Sequence, residues 1–263
     1  MCLDIDDTLL DNAASSRLGL VALVGNDAGW PVWQRASEQA YERFVAGEID
    51  FDGMRIARTR AFFAAFGEDI GEAEAERREA RRLAAMHHAW RLFDDAVPCL
   101  DWLRASGLRI AVVTNAPSAY QREKIASLGL ADAFDAVVIS GECGAAKPDP
   151  RIFQAACSAL GTHPREVVHV GDRLDTDAAG ACRAGLHGVW LNRSGRADTP
   201  PENVRTITCL AELPELLTCG LPVPLGSSGD DWHDSAGSAM TSADVAPAVR
   251  AESSAGLPAP RGG

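Results

Sequence analysis

The stretch Met1-Cys2-Leu3-Asp4-Ile5-Asp6-Asp7-Thr8-Leu9-Leu10 decides how the rest of the chain is read. A short apolar lead runs straight into Asp4, Asp6 and Asp7, which puts three carboxylates within four residues. Such a cluster repels itself, and folding alone does not ask for it beside a buried strand. A divalent cation or a phosphoryl group among the carboxylates would balance their charge. Residues two apart on extended backbone point the same way, so Asp4 and Asp6 can reach one place as the strand opens into a loop. A lone acidic run reads most simply as a turn after a strand. Partners further along the chain change that reading.

Working outward, the pattern beyond Phe93 alternates apolar strands with helices. Strands are expected at residues 109–113, 136–139, 167–170 and 188–191, with an edge strand near 206–209. The helices between them stop at Gly107, Gly129, Gly161 and Gly185, where glycine is the favoured terminator. Nearly all-apolar strands alternating with helices indicate a parallel sheet covered on both faces. The fold class is therefore α/β, a doubly wound, Rossmann-like sheet. Ligands in such sheets bind beyond the carboxyl ends of the strands. The polar residues that interrupt the apolar runs fall at those ends: Asp4 and Asp6, Thr114 and Asn115, Lys147 before Pro148, and Asp172 after Gly171.

Residues 13–93 carry a different period. Trp33, Ala36, Ala40, Tyr41 and Phe44 recur at three- and four-residue spacing, as do Met54, Ala57, Ala61, Phe62, Ala65 and Phe66. The charged run from Glu72 to Arg82 reads as a solvated helix face, with Glu early and Arg later, as the helix dipole prefers. The expected organisation is a core made of residues 1–12 and 94–220, with 13–93 inserted as a helical unit. Residues 221–263 shift to Gly, Ser, Ala, Pro and Asp and read as a disordered tail.

With 46% hydrophobic and 24% charged residues, the 263-residue chain is of ordinary globular composition. A net charge of −12 argues against nucleic acid or an anionic membrane as its main partner. The seven cysteines are scattered and never form a CxxC pair, so reduced thiols are expected rather than disulfides or zinc. Asp4 interrupts any apolar leader, and no apolar run is long enough to span a bilayer. A cytoplasmic protein, monomeric or homodimeric, is expected.

Four segments in order, DIDDT (4–8), VVTN ending at Thr114-Asn115, AAKPDP around Lys147, and GDRLDTD (171–177), resemble the signatures of the haloacid dehalogenase superfamily of phosphohydrolases. The resemblance covers roughly residues 1–217, and the helical insertion is similar to the cap of the phosphoglycolate-phosphatase-like branch. It departs from the family in the short apolar lead before Asp4, which predicts fewer ladder hydrogen bonds there. The resemblance implies a Mg²⁺-dependent hydrolase acting on a small phosphorylated metabolite. Asp4 would be the nucleophile and form an aspartyl-phosphate; Asp6 would be acid and then base. The metal would be held by Asp4, the backbone carbonyl of Asp6, and Asp172. Thr114, the amide of Asn115 and Lys147 would bind the phosphoryl group, and Asp177 or Asp175 would orient Lys147 or metal-bound water.

Plainer readings compete with these. Asp7 reads equally as a turn residue and as a phosphate contact. An EF-hand at 175–186 fails, because Ala179 and Leu186 fall where oxygen ligands are needed. His87 and His88 lack a partner cluster, and Trp30, Trp33 and Trp90 read as packing. A phosphomutase and a 2-haloacid dehalogenase share the fold, although the latter has no use for Asp6. A non-catalytic binding protein or a phospho-acceptor receiver is the alternative from another class, but receivers are too compact to hold so long an insertion.

Overall fold

Short β-branched runs become strands here because each can bury both of its faces. The computed structural model describes residues 1–219. Among them the strands are β1 (Cys2–Leu3), β2 (Ala111–Thr114), β3 (Ala136–Ile139), β4 (Val168–Gly171), β5 (His187–Leu191) and β6 (Val204–Ile207). They pair in parallel in the order β3-β2-β1-β4-β5-β6. The winding reverses between β1 and β4, so the crevice lies beyond the carboxyl ends of those two strands. The expected tail at 221–263, including Trp232 and His233, lies outside the described residues.

β1 is as short as its sequence implies, yet it is paired on both sides. Cys2 stands opposite Ala111 and His169, and Leu3 opposite Val112 and Val170. Asp4 N extends the ladder by donating to Val170 O at 2.9 Å. Alternate residues then sort to opposite faces, as strand geometry requires. Leu3, Val112 and Val170 pack with Leu10, Leu100 and Leu103, while Cys2, Ala111 and Val113 pack with Ile152, Phe153 and Leu160. Each such leucine or phenylalanine contributes about 1.5–3 kcal/mol by burial.

The connecting helices are α5 (Ala96–Ala105), α6 (Ser118–Ser127), α7 (Ser140–Cys143), α8 (Pro150–Leu160), α9 (Ala179–Arg183) and α10 (Leu213–Thr218). α8 shows the local logic: Asp149 accepts from Arg151 N, Pro150 opens the helix, and Gly161 ends it at φ 58°. The second strand starts later than expected, because Ile110 N donates to the Asp135 carboxylate at 2.7 Å instead of to a neighbouring strand. The helix expected after Asp172 is a π-helical turn, Leu174–Ala178, followed by the short α9. All seven cysteines are free thiols, and no described helix is long and apolar enough to cross a membrane.

The insertion consists of α1 (Asn12–Val24), α2 (Trp30–Val45), α3 (Phe51–Ala64) and α4 (Glu72–His88). Its centre is Trp33, edge-on to Phe62 at 5.4 Å and enclosed by Leu20, Phe63, Ile70 and Ala75. The charged run on α4 is not wholly a solvated face. Ala75, Glu79, Arg82 and Met86 lie at four- and three-residue spacing along its buried side. Glu79 tolerates burial because it accepts from Thr59 Oγ1 (2.9 Å), Arg58 Nη2 (2.5 Å) and Arg82 Nη2 (2.8 Å). Arg55 lies 3.4 Å from the same carboxylate. Of these partners Arg55, Arg58 and Thr59 sit on α3, out of reach of any reading of α4 alone.

Burial alone would raise the Glu79 carboxyl, but Arg58 and Arg82 override it and hold the group well below the usual carboxylate range. A lowered native value stabilises the fold above the unfolded value of 4.5, and that contribution is lost as pH falls through the native value. Glu79→Gln is therefore expected to lower stability by about 3 kcal/mol at neutral pH. Its deficit relative to the parent should shrink in acid. Urea melts at neutral pH and at about pH 3 check this; a deficit of constant size would mean that Glu79 is not charged in the native protein.

Candidate active site

Each polar strand end lies where the winding predicts. Asp4 directly follows β1 and is buried; its Oδ1 accepts from Lys147 Nζ at 2.5 Å, and its Oδ2 lies 3.4 Å from Thr8 Oγ1. Lys147, also buried, donates to Val113 O (2.8 Å) and pairs with Asp177 Oδ1 (2.7 Å). Asn115 fixes the loop that carries this lysine: its Oδ1 accepts from Lys147 N at 2.7 Å and its Nδ2 donates to Lys147 O at 2.9 Å. The ammonium is thus held between two carboxylates from distant parts of the chain. Burial would lower the Lys147 amine, but Asp177 and Asp4 hold it well above the usual lysine range.

Asp172 follows β4. Oxygen atoms of Asp4, Asp172 and Asp177 lie within 4.8 Å of one another. Burial raises the Asp4 carboxyl to about 7 despite Lys147. The Asp172 carboxyl is pushed well above its usual value by burial, with Asp7, Asp177 and Asp4 adding to the effect. Asp177 goes the other way: burial would raise it, yet Lys147 and His169 hold it well below the usual range. It also accepts from Arg173 N at 3.1 Å. Gly171 is required here because a side-chain carbon at that position would overlap the Asp177 carboxylate.

The two residues offered for orienting Lys147 separate cleanly. Asp177 pairs with it; Asp175 is exposed and lies 3.8 Å from Arg173 Nε instead. The π-helical turn accounts for this, since it directs Asp177 inward under β4 and leaves Asp175 outside. Asp6 lines the cleft, but both its oxygens accept from Lys124 Nζ, at 2.7 and 2.9 Å, and Gln121 Nε2 approaches at 3.3 Å. Thr114 is buried, and its Oγ1 accepts from the same Gln121 amide at 2.6 Å, which leaves its own proton to donate. Asp7 behaves as a turn residue, at φ 58°, with its Oδ1 accepting from Ala13 N at 2.7 Å. Neither His87 nor His88 belongs to the acidic cluster; His87 stacks on Trp90 at 4.2 Å.

Sequence reasoning did not single out Lys124, Gln121 or His169. Lys124 is fully buried against the Tyr120 ring at 4.7 Å. The only sequence signal for it was a lysine beside the inward-facing Ile125. His169 is buried on β4, 3.3 Å from Asp177 Oδ1, and burial lowers its basicity. The insertion also reaches this end of the sheet. Glu38 of α2 pairs with Arg173 at 2.5 Å, and Tyr41 takes Arg173 on its ring face at 4.2 Å and Asn115 Nδ2 on its hydroxyl at 3.3 Å. Core and insertion together line a cleft of about 1090 Å³.

Comparison with known proteins agrees with this geometry. The family description "haloacid dehalogenase-like hydrolase" matches residues 1–185. A phosphoserine phosphatase from Thermus thermophilus is 36% identical over 177 residues, 67% of this chain and 69% of that protein. The N-acylneuraminate-9-phosphatase of Mus musculus is 31% identical over 237 residues, 81% of this chain and 91% of its own. Among solved structures, a HAD phosphatase from Thermococcus onnurineus is 30% identical, with a TM-score of 0.56 over 82% of this chain and 96% of that one. The HAD-hydrolase YfnB of Bacillus subtilis, bound to magnesium, shares the fold at a TM-score of 0.71 and 24% identity, covering 81% of this chain and 96% of its own. The chain therefore belongs to the haloacid dehalogenase-like hydrolase family and is an enzyme, a hydrolase of the phosphatase kind.

Proposed function

We propose that this hydrolase is Mg²⁺-dependent and cleaves a small phosphate monoester through a covalent aspartyl-phosphate on Asp4. The observation that carries the reading is the buried Asp4 carboxylate at the end of the central strand, paired with Lys147 and close to Asp172 and Asp177. The donor set fits a hard cation, since it offers carboxylate oxygens and no thiolate or imidazole. Among the described residues Asp172 has no salt-bridge partner, whereas Asp177 is committed to Lys147 and His169. Asp4, Asp172 and the backbone carbonyl of Asp6 would hold the metal. When bound, it would neutralise charge on the phosphoryl oxygens.

The chain's own residues do the rest. Asp4 attacks phosphorus, and Lys147, locked by Asn115 and Asp177, holds positive charge beside the transferring group. The Thr114 hydroxyl and the Asn115 amide donate to phosphoryl oxygens. Asp6 turns away from Lys124 to protonate the leaving oxygen and then takes a proton from the hydrolytic water. Residues 13–93 act as the cap, because Trp30, Glu38, Tyr41 and Arg58 line the same cleft as Asp4. The free thiols are consistent with a cytoplasmic enzyme, monomeric or homodimeric, acting on a small phosphorylated metabolite. Hydrolysis of p-nitrophenyl phosphate with Mg²⁺ should fall to background on chelation with EDTA and return when Mg²⁺ is restored. Undiminished turnover in EDTA would refute the metal dependence.

A further inference from the structure

Part of the insertion's buried charge faces the same cleft as Asp4. Arg55 and Arg58 on α3 and Arg82 on α4 all line it. Three guanidinium groups share Glu79, and among the described residues only the mostly exposed Asp52 offers a second carboxylate, to Arg55 at 3.1 Å. The cluster therefore holds one positive charge in excess. Among the other cations lining the cleft, Lys124 pairs with Asp6, Arg173 with Glu38, Arg193 with Asp95, and Lys147 with Asp4 and Asp177, while Arg35 and Arg196 are exposed side chains.

Arg58 is the member with donors to spare. Its bond to Glu79 uses Nη2, and its buried Nε has no hydrogen-bond partner among the described residues. Leaving such a group unpaired is costly unless something else accepts from it. Trp33 holds the guanidinium, with the central carbon 4.7 Å from the ring centroid. Burial pushes Arg58 down to about 10, which leaves it charged at neutral pH. Tyr120, the ring against which Lys124, the partner of Asp6, is packed, lines the same cleft.

We infer that Arg58 is a substrate-binding residue that receives a carboxylate carried by the substrate away from its phosphoryl group. The inference rests on the phosphatase reading above and narrows its substrate class. A guanidinium fork matches a carboxylate in shape, and one excess positive charge matches one carboxylate in charge. A second phosphate, carrying up to two negative charges, would overfill the site.

The test uses phosphate monoesters of ω-hydroxy acids of increasing chain length, each matched to the monophosphate of the diol of equal length. At one length the acid should exceed its diol partner in kcat/KM by at least about tenfold. That ratio should fall to about one in Arg58→Met and persist in part in Arg58→Lys. Because the ratio is taken within each variant, a general loss of activity does not affect it. Ratios near one at every length in the parent enzyme would overturn the inference, as would a stronger preference for the matching bisphosphates. So would Arg58→Met protein that melts earlier but keeps the parent ratio, since Arg58 would then be structural. Should Arg58→Met fail to fold, the parent ratios and Arg58→Lys still decide. If no ester, p-nitrophenyl phosphate included, is hydrolysed with Mg²⁺, the phosphatase reading fails. Calorimetric binding of each acid and its diol to the parent protein then decides the inference separately, with equal affinities rejecting it.

Discussion

Asp4→Asn is expected to lower p-nitrophenyl phosphate turnover by at least about three orders of magnitude while leaving the protein as stable as before or more so. On the proposed mechanism the loss follows from replacing the attacking carboxylate with an amide that cannot form the acyl phosphate. The gain follows from where Asp4 sits. Burial raises its carboxyl to about 7, and Asp177 and Asp6 repel it, with Lys147 only partly compensating. A carboxyl raised in the native state contributes stability below its unfolded value of 3.8, and loses it as pH rises through about 7. At mildly alkaline pH the ionised Asp4 is therefore a burden on the fold, one that asparagine does not carry. Lys147 keeps Asp177 and Val113 O as partners in the variant. Thermal melting at about pH 8 should show a midpoint equal to the parent's or a few degrees higher. Variant protein retaining more than about a hundredth of parental turnover would mean that another group attacks phosphorus.

Lys147→Met is expected to fail in both respects. Methionine fills similar space but leaves Asp4 and Asp177 buried without their shared cation, close to Asp172. At the separations seen here, each like-charged pair costs about 3 kcal/mol at an effective dielectric near 20. Protonation and relaxation relieve part of that, so a net destabilisation of about 3–5 kcal/mol is expected at neutral pH. Urea denaturation measures it directly. Turnover should fall to background, because the phosphoryl group loses its fixed positive charge. The contrast with Asp4→Asn is the informative result: one substitution removes a strained charge and the other removes its compensation. A Lys147→Met protein as stable as the parent would show that the carboxylates are already neutral in the native state.

Several features were legible in the linear chain because they depend on local periodicity. The apolar runs at 136–139 and 188–191, and the Asp149-Pro150 to Gly161 frame around α8, need only strand pleating, capping and glycine's freedom at positive φ. The placement of Asp4, Thr114, Lys147 and Asp172 at one edge followed from the parallel winding, which sends every strand's carboxyl end the same way. The charged run on α4 misled for the opposite reason. Its Glu79 and Arg82 are buried only because Arg55 and Arg58 approach from another helix.

What the sequence determined by itself was thus the order of strands and helices, the edge at which the chemistry lies, and the residue types gathered there. Tertiary structure alone decided which charges meet. Lys124 reaches Asp6 across 118 positions, and Lys147 reaches Asp4 across 143. It also chose Asp177 over Asp175 through a single π-helical turn. The physical reason is that backbone preference is settled within a few residues, whereas a buried ion pair depends on three-dimensional distance and on the exclusion of water, and neither is defined until the chain has closed on itself.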